Sequence, residues 1–428
     1  MLHIVVIDML PGRVRKKREF YRNFHKLIII SIFFSKHSSR FQTSKPHPME
    51  AKNLHTWLPF TDNDWILKII QLSEKEFIAS TSNGSLIGYS ISNLSSTPTI
   101  KIEKAHESSI NDIVKIDNNS IASCSSDGIK IWNLRSKSAI VTLTNAKKSN
   151  FLSLAYKNNL LAAGTELVGV DAELHIWDIR NTDNVVRSFV DSHHDDITAL
   201  EFHPTLTNYL MSGSTDGYVN IYNLNETEED EALHQVINFA SVHSCHFITE
   251  SRISILTHME TLMIHDLNDT NYEELVEPKF KDFGDLRKEW PLNEYVIDIS
   301  PTGFAAYGSN SESSLSLLPF DPESESFDLS KLISFPKAHG EEVVRDFVLI
   351  PNSKMALSCG EDGRIKLWEL PFLLKSFVLG LEEKETDITM TEGDVQLEKK
   401  SKKDKKDKKK DKKKDKKKHK KDVRFKPY

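Results

Sequence analysis

One phrase returns three times along this chain: SSDGIKIWNLR at 125–135, STDGYVNIYNL at 214–224 and GEDGRIKLWEL at 360–370. Each copy sets a tight Asp-Gly turn ahead of a run that alternates apolar and polar residues and closes on an aromatic. A turn signal followed by period-two alternation marks a half-buried strand leaving a hairpin. A chain that repeats such a unit must bury the copies against one another, which restricts its folds more than length or composition does.

The closing aromatic serves as a marker. Tyr89, Trp132, Trp177, Tyr222 and, in the same slot, His265 stand 43, 45, 45 and 43 residues apart, and Trp368 follows after a further 103. That last gap has room for one degraded unit, and PTGFAAYGSNSESSLSLLPF (301–320) fits it with Leu318 near the marker position, so the count is seven. A period of roughly 40–45 residues with four short strands per unit is that of a propeller blade. One blade has two apolar faces; a closed ring covers each with its neighbour and leaves only short edges. The expected fold is all-β, a seven-bladed propeller over 49–380, closed by an early strand from LHTWLPF (54–60) pairing with the last blade.

Particular residues resemble the WD40-repeat family, in which a His on the loop leading into a blade is joined by hydrogen bonds to a Ser or Thr, a turn Asp and a strand Trp. The second unit offers His106, Ser123, Asp127 and Trp132; the fourth His193, Ser212, Asp216 and Tyr222 in place of Trp; the seventh His339, Ser358, Asp362 and Trp368. The His-to-Asp separations are 21, 23 and 23 residues, and each Ser lies four before its Asp. A buried polar chain is tolerated only when fully satisfied, and then it fixes a turn; the resemblance implies a structural role for these sets, not a catalytic one. The second unit is one residue short between Asp127 and Trp132. The first, fifth and sixth units lack the set, so their blades are expected to hold by packing alone. The third carries an insertion, GTELVGVDAELHIWDIR, whose extra residues should protrude. AAGTELVGVDAELHIWDIR, SHHDDITALEFHP and CGEDGRIKLWEL are, further, similar to the WD repeat-containing protein 89 group, a resemblance over about 77–370 that implies a fold more than an activity.

Charge is distributed unevenly. The net charge is -6, but 399–421 carry 17 Lys against 4 Asp (+13), 1–48 carry 10 Lys+Arg against 2 acids (+8), and 422–428 add +1. The body at 49–398 is therefore -6 - 13 - 8 - 1 = -28. Residues 1–48 combine the basic GRVRKKREFYRNFHK with the eight-residue apolar run LIIISIFF, too short to span a bilayer. They do not conform to the repeat pattern, and we expect a disordered extension or a gene-model artefact with translation starting at Met49. After an acidic linker, the segment 381–428 becomes Lys-rich and has too few apolar residues to repay ordering, so it is expected to be a disordered tail. Its densest part, Lys408, Lys409, Lys410, Lys412, Lys413, Lys414, Lys416, Lys417 and Lys418, reads as a nuclear-import or RNA-contacting segment.

No constellation for chemistry stands out. Phosphate loop, metalloprotease His pair and nucleophile elbow are all missing from the sequence. Cys124, Cys245 and Cys359 are too few and scattered for a disulfide framework or a zinc site. His193, His194, Asp195 and Asp196 form a cluster that reads as a blade-leading His followed by surface residues rather than as a metal site. No catalytic, cofactor or metal residues are assigned, and an enzyme is not expected. The expected function is that of a nuclear scaffold for protein interactions, nucleolar and tied to ribosome assembly or to the handling of basic proteins, with the cytoplasm as the alternative location. Its expected partners are other proteins, basic ones given the acidic body, with weak RNA contact by the tail, no membrane, and a monomeric propeller within a complex. A competing reading starts from Trp177, Asp178 and Arg180, which resemble the WD-x-R motif of propellers that serve cullin-type ubiquitin ligases as substrate receptors.

Overall fold

The computed structural model describes residues 49–60, 64–268 and 277–377. The expectations for 1–48, for the acidic linker and for the tail from Lys408 to Lys418 lie outside the described residues.

Seven antiparallel sheets follow one another along the chain. Blade 1 is built from Ile66–Gln71, Glu76–Thr81, Leu86–Ser90 and Ile100–Ile102, counted from the axis outward. The same order of four strands recurs in blade 2 (from Asp112–Lys115 to Ser138–Leu143), blade 3 (Phe151–Lys157 to Arg187–His193), blade 4 (Ile197–Phe202 to Leu233–Asn238) and blade 5 (Val242–Thr249 to Phe280–Asp285). Blade 6 runs from Tyr295–Ser300 to Ile333–Pro336, and blade 7 contributes Val344–Leu349, Met355–Gly360 and Ile365–Glu369. Each innermost strand touches the innermost strands on either side, and Val344–Leu349 touches Ile66–Gln71, so the array closes into a ring.

Closure comes from the first described residues. Lys52–Trp57 pairs antiparallel with Ile365–Glu369 as the outer strand of blade 7. The expected closing strand thus begins two residues earlier than LHTWLPF and stops at Trp57, where Leu58 turns out to solvent. A second contact was not expected: Met49–Glu50 adds in parallel to Ile333–Pro336 of blade 6. One segment therefore ties two adjacent blades.

The repeated phrase becomes a specific piece of each blade: the turn between the second and third strands, plus the third strand. In blade 2 the turn is so tight that Ser125 pairs directly with Gly128. Gly128 has φ +113°, and a Cβ there would lie 2.5 Å from the carbonyl oxygen of Leu143, so only glycine fits.

Seven apolar clusters fill the seven joints between blades. Between blades 7 and 1, for example, Trp57, Leu357 and Leu367 meet Phe77, Ile87 and Tyr89. The repeat has no core of its own; every blade's apolar faces are buried by its two neighbours, which is the physical reason the units must come as a closed set. Cys124, Cys245 and Cys359 are free and sit inside these layers, where burial raises their thiols well above the usual range.

Candidate interaction surface

The three polar sets assemble at the face of the ring where the second strand of each blade turns into the third. In blade 2, His106 lies on the loop leading into the blade, with Nε2 at 2.7 Å from Ser123 Oγ and Nδ1 against Asp127 at 2.5 Å; Trp132 Nε1 donates to the same Ser123 at 2.8 Å. In blade 7, His339 Nε2 is 2.8 Å from Ser358 Oγ, Nδ1 is 2.7 Å from Asp362, and Trp368 Nε1 donates to Ser358 at 2.9 Å. In blade 4, His193 reaches Ser212 at 2.7 Å and Asp216 at 2.9 Å, but the Tyr222 hydroxyl stands 3.4 Å from Ser212 and Asn220 joins the chain at 3.2 Å from His193 Nε2. A phenol cannot place its polar atom where an indole N–H sits: Ser212 donates to the Tyr222 hydroxyl instead of receiving an indole N–H, and the Asn220 amide adds a contact to His193 rather than to the serine. Burial lowers the affinity of His106 and His339 for a proton, even against the pull of Asp127 and Asp362. These histidines are neutral links in a fixed chain, with no nucleophile exposed to attack.

Blades 1, 5 and 6 do not hold by packing alone, contrary to the expectation from the sequence, and blade 3 is tied as well. In blade 1 the incoming loop offers Asp64, which accepts from Asn83 Nδ2 at 2.6 Å. Blade 3 ties Asn150 to Glu166 at 2.8 Å, blade 5 ties Ser241 to His258 at 3.0 Å, and in blade 6 Glu294 accepts from the backbone of Asn310 at 2.7 Å and of Ser311 at 3.2 Å. The geometric task is the same in every blade, to fasten incoming loop to turn. Residue types differ because these ties lie nearer the surface, where water satisfies whatever the protein does not.

A second ring, around the axis, escaped sequence reasoning. Six of the seven innermost strands carry a register shift near their start, for example between Ile66 and Lys68 and between Val344 and Asp346. Such bulges re-aim side chains. The re-aimed and neighbouring residues join every pair of blades. Lys68 bonds Asp112; the amide of Leu154 donates to Asp112 at 2.8 Å; Ser153 donates to the Ile197 carbonyl at 2.8 Å and Thr198 to that of Val242 at 2.8 Å. Ser244 then donates to Asp298 at 2.9 Å, the amide of Val344 to the Tyr295 hydroxyl at 2.8 Å, and the amide of Ile69 to Asp346 at 2.7 Å, which completes the circle. His246 bridges Glu201 at 2.7 Å and Asp298 at 3.0 Å; although burial works against its charge, those two carboxylates raise its proton affinity well above the usual range. Burial pushes the carboxyl of Asp346 up to about 6, whereas His246 holds Asp298 down at about 2 despite burial. The small cavity on the axis, about 240 Å³, is lined by these engaged groups and is a structural fastening rather than a site with free reactive atoms. The available signal was a polar residue near the start of strands otherwise rich in Ile and Val, as in ILKIIQ and YVIDIS.

The His193–Asp196 cluster does not converge. His193 is spent on its polar chain, His194 pairs with Asp171 at 2.9 Å, and among the described residues no His, Cys, Asp and Glu group is arranged to hold a metal ion. At the opposite face, Trp177 is buried while Arg180 is exposed and folded onto Asp178, whose carboxyl is held down at about 2 by that guanidinium and by the Arg180 amide. The acidic stretch 225–233 forms the connection to the outer strand of blade 4, where Glu229 accepts from the amides of Val190 and Asp191 at 2.9 and 3.0 Å and so ties blade 4 to blade 3. Among the described residues no helix is long and apolar enough to cross a membrane.

What the geometry leaves for function is a rigid ring that displays loops on two faces. Comparison with known proteins agrees with that architecture. The family model described as "WD domain, G-beta repeat" matches residues 184–223 and 330–369, the turns and third strands of blades 4 and 7 among them. An uncharacterized WD repeat-containing protein of Saccharomyces cerevisiae is 44% identical over 318 residues, covering 72% of this chain and 80% of its own. A WD repeat-containing protein 89 homolog of Dictyostelium discoideum is 30% identical over 146 residues, 34% of this chain and 38% of its own. The histone acetyltransferase type B subunit 2 of Candida glabrata is 26% identical over 182 residues, 41% of this chain and 42% of its own. Proteins of this kind typically act as non-enzymatic scaffolds that bind other proteins, and by its repeats, its closed ring and these relatives the chain belongs to the WD repeat family.

Proposed function

We propose that the chain is a non-enzymatic scaffold of the nucleus, nucleolar and linked to ribosome assembly, that gathers basic proteins on its propeller. The observation that carries this reading is electrostatic: residues 49–398 hold a net charge of -28, and the described residues among them form the ring. A field of that sign accelerates encounter with basic proteins and discriminates against acidic ones. A relative whose name makes it a subunit of a histone acetyltransferase supports the same class of partner. The Lys-rich tail, with 17 Lys in 399–421, would direct import and add weak, salt-sensitive RNA contacts.

Affinity purification from native extract, with and without nuclease, tests the scaffold. Basic proteins should be retained after nuclease treatment and released as salt rises; recovery of acidic proteins alone would end the reading. Removing 399–428 and imaging the protein tests the tail, and unchanged nuclear accumulation would refute its import role.

A second reading, as substrate receptor of a cullin-type ubiquitin ligase, keeps support from the exposed position of Arg180. Co-purification of a cullin adaptor that disappears on Arg180→Ala, in protein of unchanged stability, would favour it; failure of any adaptor to co-purify removes it.

A further inference from the structure

The turn between the second and third strands is short in most blades, but in blade 3 the chain runs out from Thr165 and returns at Ala172 as a finger. Its tip exposes Leu167, Val168 and Val170, at 37, 36 and 77%. Val168 and Asp171 pair across it, and Gly169, at φ +88°, has open space where a side chain would be. Single exposed aliphatic residues need no explanation. Three within four residues, held away from the blade, do.

The finger is held out by bonds at its base. The amide of Leu167 donates to Asp196 at 2.8 Å, Glu166 accepts from Asn150 at 2.8 Å, and Asp171 lies 2.9 Å from His194 Nδ1. An aliphatic tip presented in this pre-ordered way loses little freedom on binding. Glu166, Asp171, Asp195 and Asp196 flank it, and among the described residues no Lys or Arg pairs with any of them; the one ion-pair partner is His194, on Asp171. The surface therefore joins an apolar stripe to uncompensated negative charge.

We propose that this finger is a docking element whose occupant is a basic amphipathic helix of a partner protein. The helix would lay its apolar stripe on Leu167, Val168 and Val170 and set the Lys or Arg residues beside that stripe against the four carboxylates. The proposal rests on the reading of the propeller as a holder of basic proteins, and adds where and through which helix face one of them is held.

Two peptides of equal net charge decide it: a Leu/Lys amphipathic helix, and the same peptide with every Leu replaced by Gln. Titrated into the full-length protein, the Leu/Lys peptide binds about tenfold more tightly, the effect of taking roughly 55 Å² of apolar surface out of water. Val168→Ser with Val170→Ser removes that advantage while leaving the melting temperature and the affinity for the Gln peptide unchanged. Equal affinities for the two peptides, or an advantage that survives the double substitution, would overturn the finger's role and leave the scaffold reading intact. Binding of neither peptide would instead defeat the basic-partner reading beneath it. Self-association of the protein that the double substitution abolishes would make a second copy the occupant and overturn the proposal.

Discussion

Blades 2, 4 and 7 fasten the incoming loop to the turn with a buried histidine, while blades 1, 3, 5 and 6 do so with amides, hydroxyls, carboxylates and, in blade 5, an exposed histidine, all closer to the surface. The topological job is the same, and the solvent differs. In a buried chain every member must be satisfied by another, which demands particular atoms at particular distances. At the surface water stands in for any missing partner, and several residue types serve. The comparison teaches why the WD40 pattern could be recognised in only some of the blades although all share one design.

The largest effect tests the frame in which both kinds of blade sit. Trp57, 1% exposed, fills the joint of blades 7 and 1, lies 5.3 Å from Phe77 and 5.4 Å from Tyr89 between ring centroids, and donates Nε1 to the Ser95 carbonyl at 2.8 Å. Trp57→Ala should cost roughly 4 kcal/mol, since it opens a cavity at the point of closure. Leu58→Ala, one residue on and exposed, should cost less than about 0.5 kcal/mol. Denaturant midpoints would check the pair; equal losses would mean that the closing strand contributes nothing through burial.

The comparison itself is broken most directly by His339→Ala against Glu294→Ala. Loss of His339 leaves the buried Ser358 hydroxyl without its acceptor and Asp362 without its histidine donor, so roughly 3 kcal/mol should be lost. Glu294 makes a geometrically similar tie at an exposed position, and its removal should cost no more than about 1 kcal/mol. If the two losses matched, burial would not be what separates the two classes.

A finer contrast lies within the buried class. Ser123 receives the Trp132 indole at 2.8 Å, whereas Ser212 meets Tyr222 only at 3.4 Å and shares its chain with Asn220. Ser123→Ala should therefore cost about 2 kcal/mol and Ser212→Ala about 1 kcal/mol, because Asn220 remains to occupy the histidine. Equal costs would show that Asn220 takes no share of the load.

The same division explains what was legible in the sequence. Blade count and the place of the repeated turn follow from spacing, since a ring of like blades must repeat its turn at a fixed period, whereas the buried histidine sets were legible through the resemblance to the WD40-repeat family. Closure by residues near Trp57 was foreseen, because the last blade lacks a fourth strand of its own. The additional pairing of Met49–Glu50 with blade 6 was not, since two residues carry no periodicity. The axial fastening was missed for a related reason. Lys68, Asp112, Asp298 and Asp346 are brought together from four blades, and a polar residue near the start of an Ile- and Val-rich strand, the one local signal, does not say which blades it will join. The protruding loop of blade 3 was read from its extra length, but the bonds that brace it, such as that from Leu167 to Asp196, join different blades.

The smallest expected effect is a slope rather than a loss, and it separates the turn histidines from the axial one by sign. His106 and His339 take up a proton less readily when folded, because burial lowers their affinity below the usual value of 6.5. As pH falls below 6.5 the unfolded chain gains protons that the native state refuses, so their contribution to stability is present above that value and declines on acidification. His246 behaves oppositely. Burial opposes its charge, but Asp298 and Glu201 hold the proton well above 6.5, so its contribution is complete below 6.5 and is lost only as pH rises through the raised value. His246→Gln should accordingly flatten the decline in stability on the alkaline side and leave the acid side unchanged, while His339→Gln should do the reverse. Melting temperatures across pH 5 to 9 for the two variants would show it. Parallel shifts of the whole curve in both would mean that the axial histidine is another neutral link, and that its two carboxylates do not hold it charged.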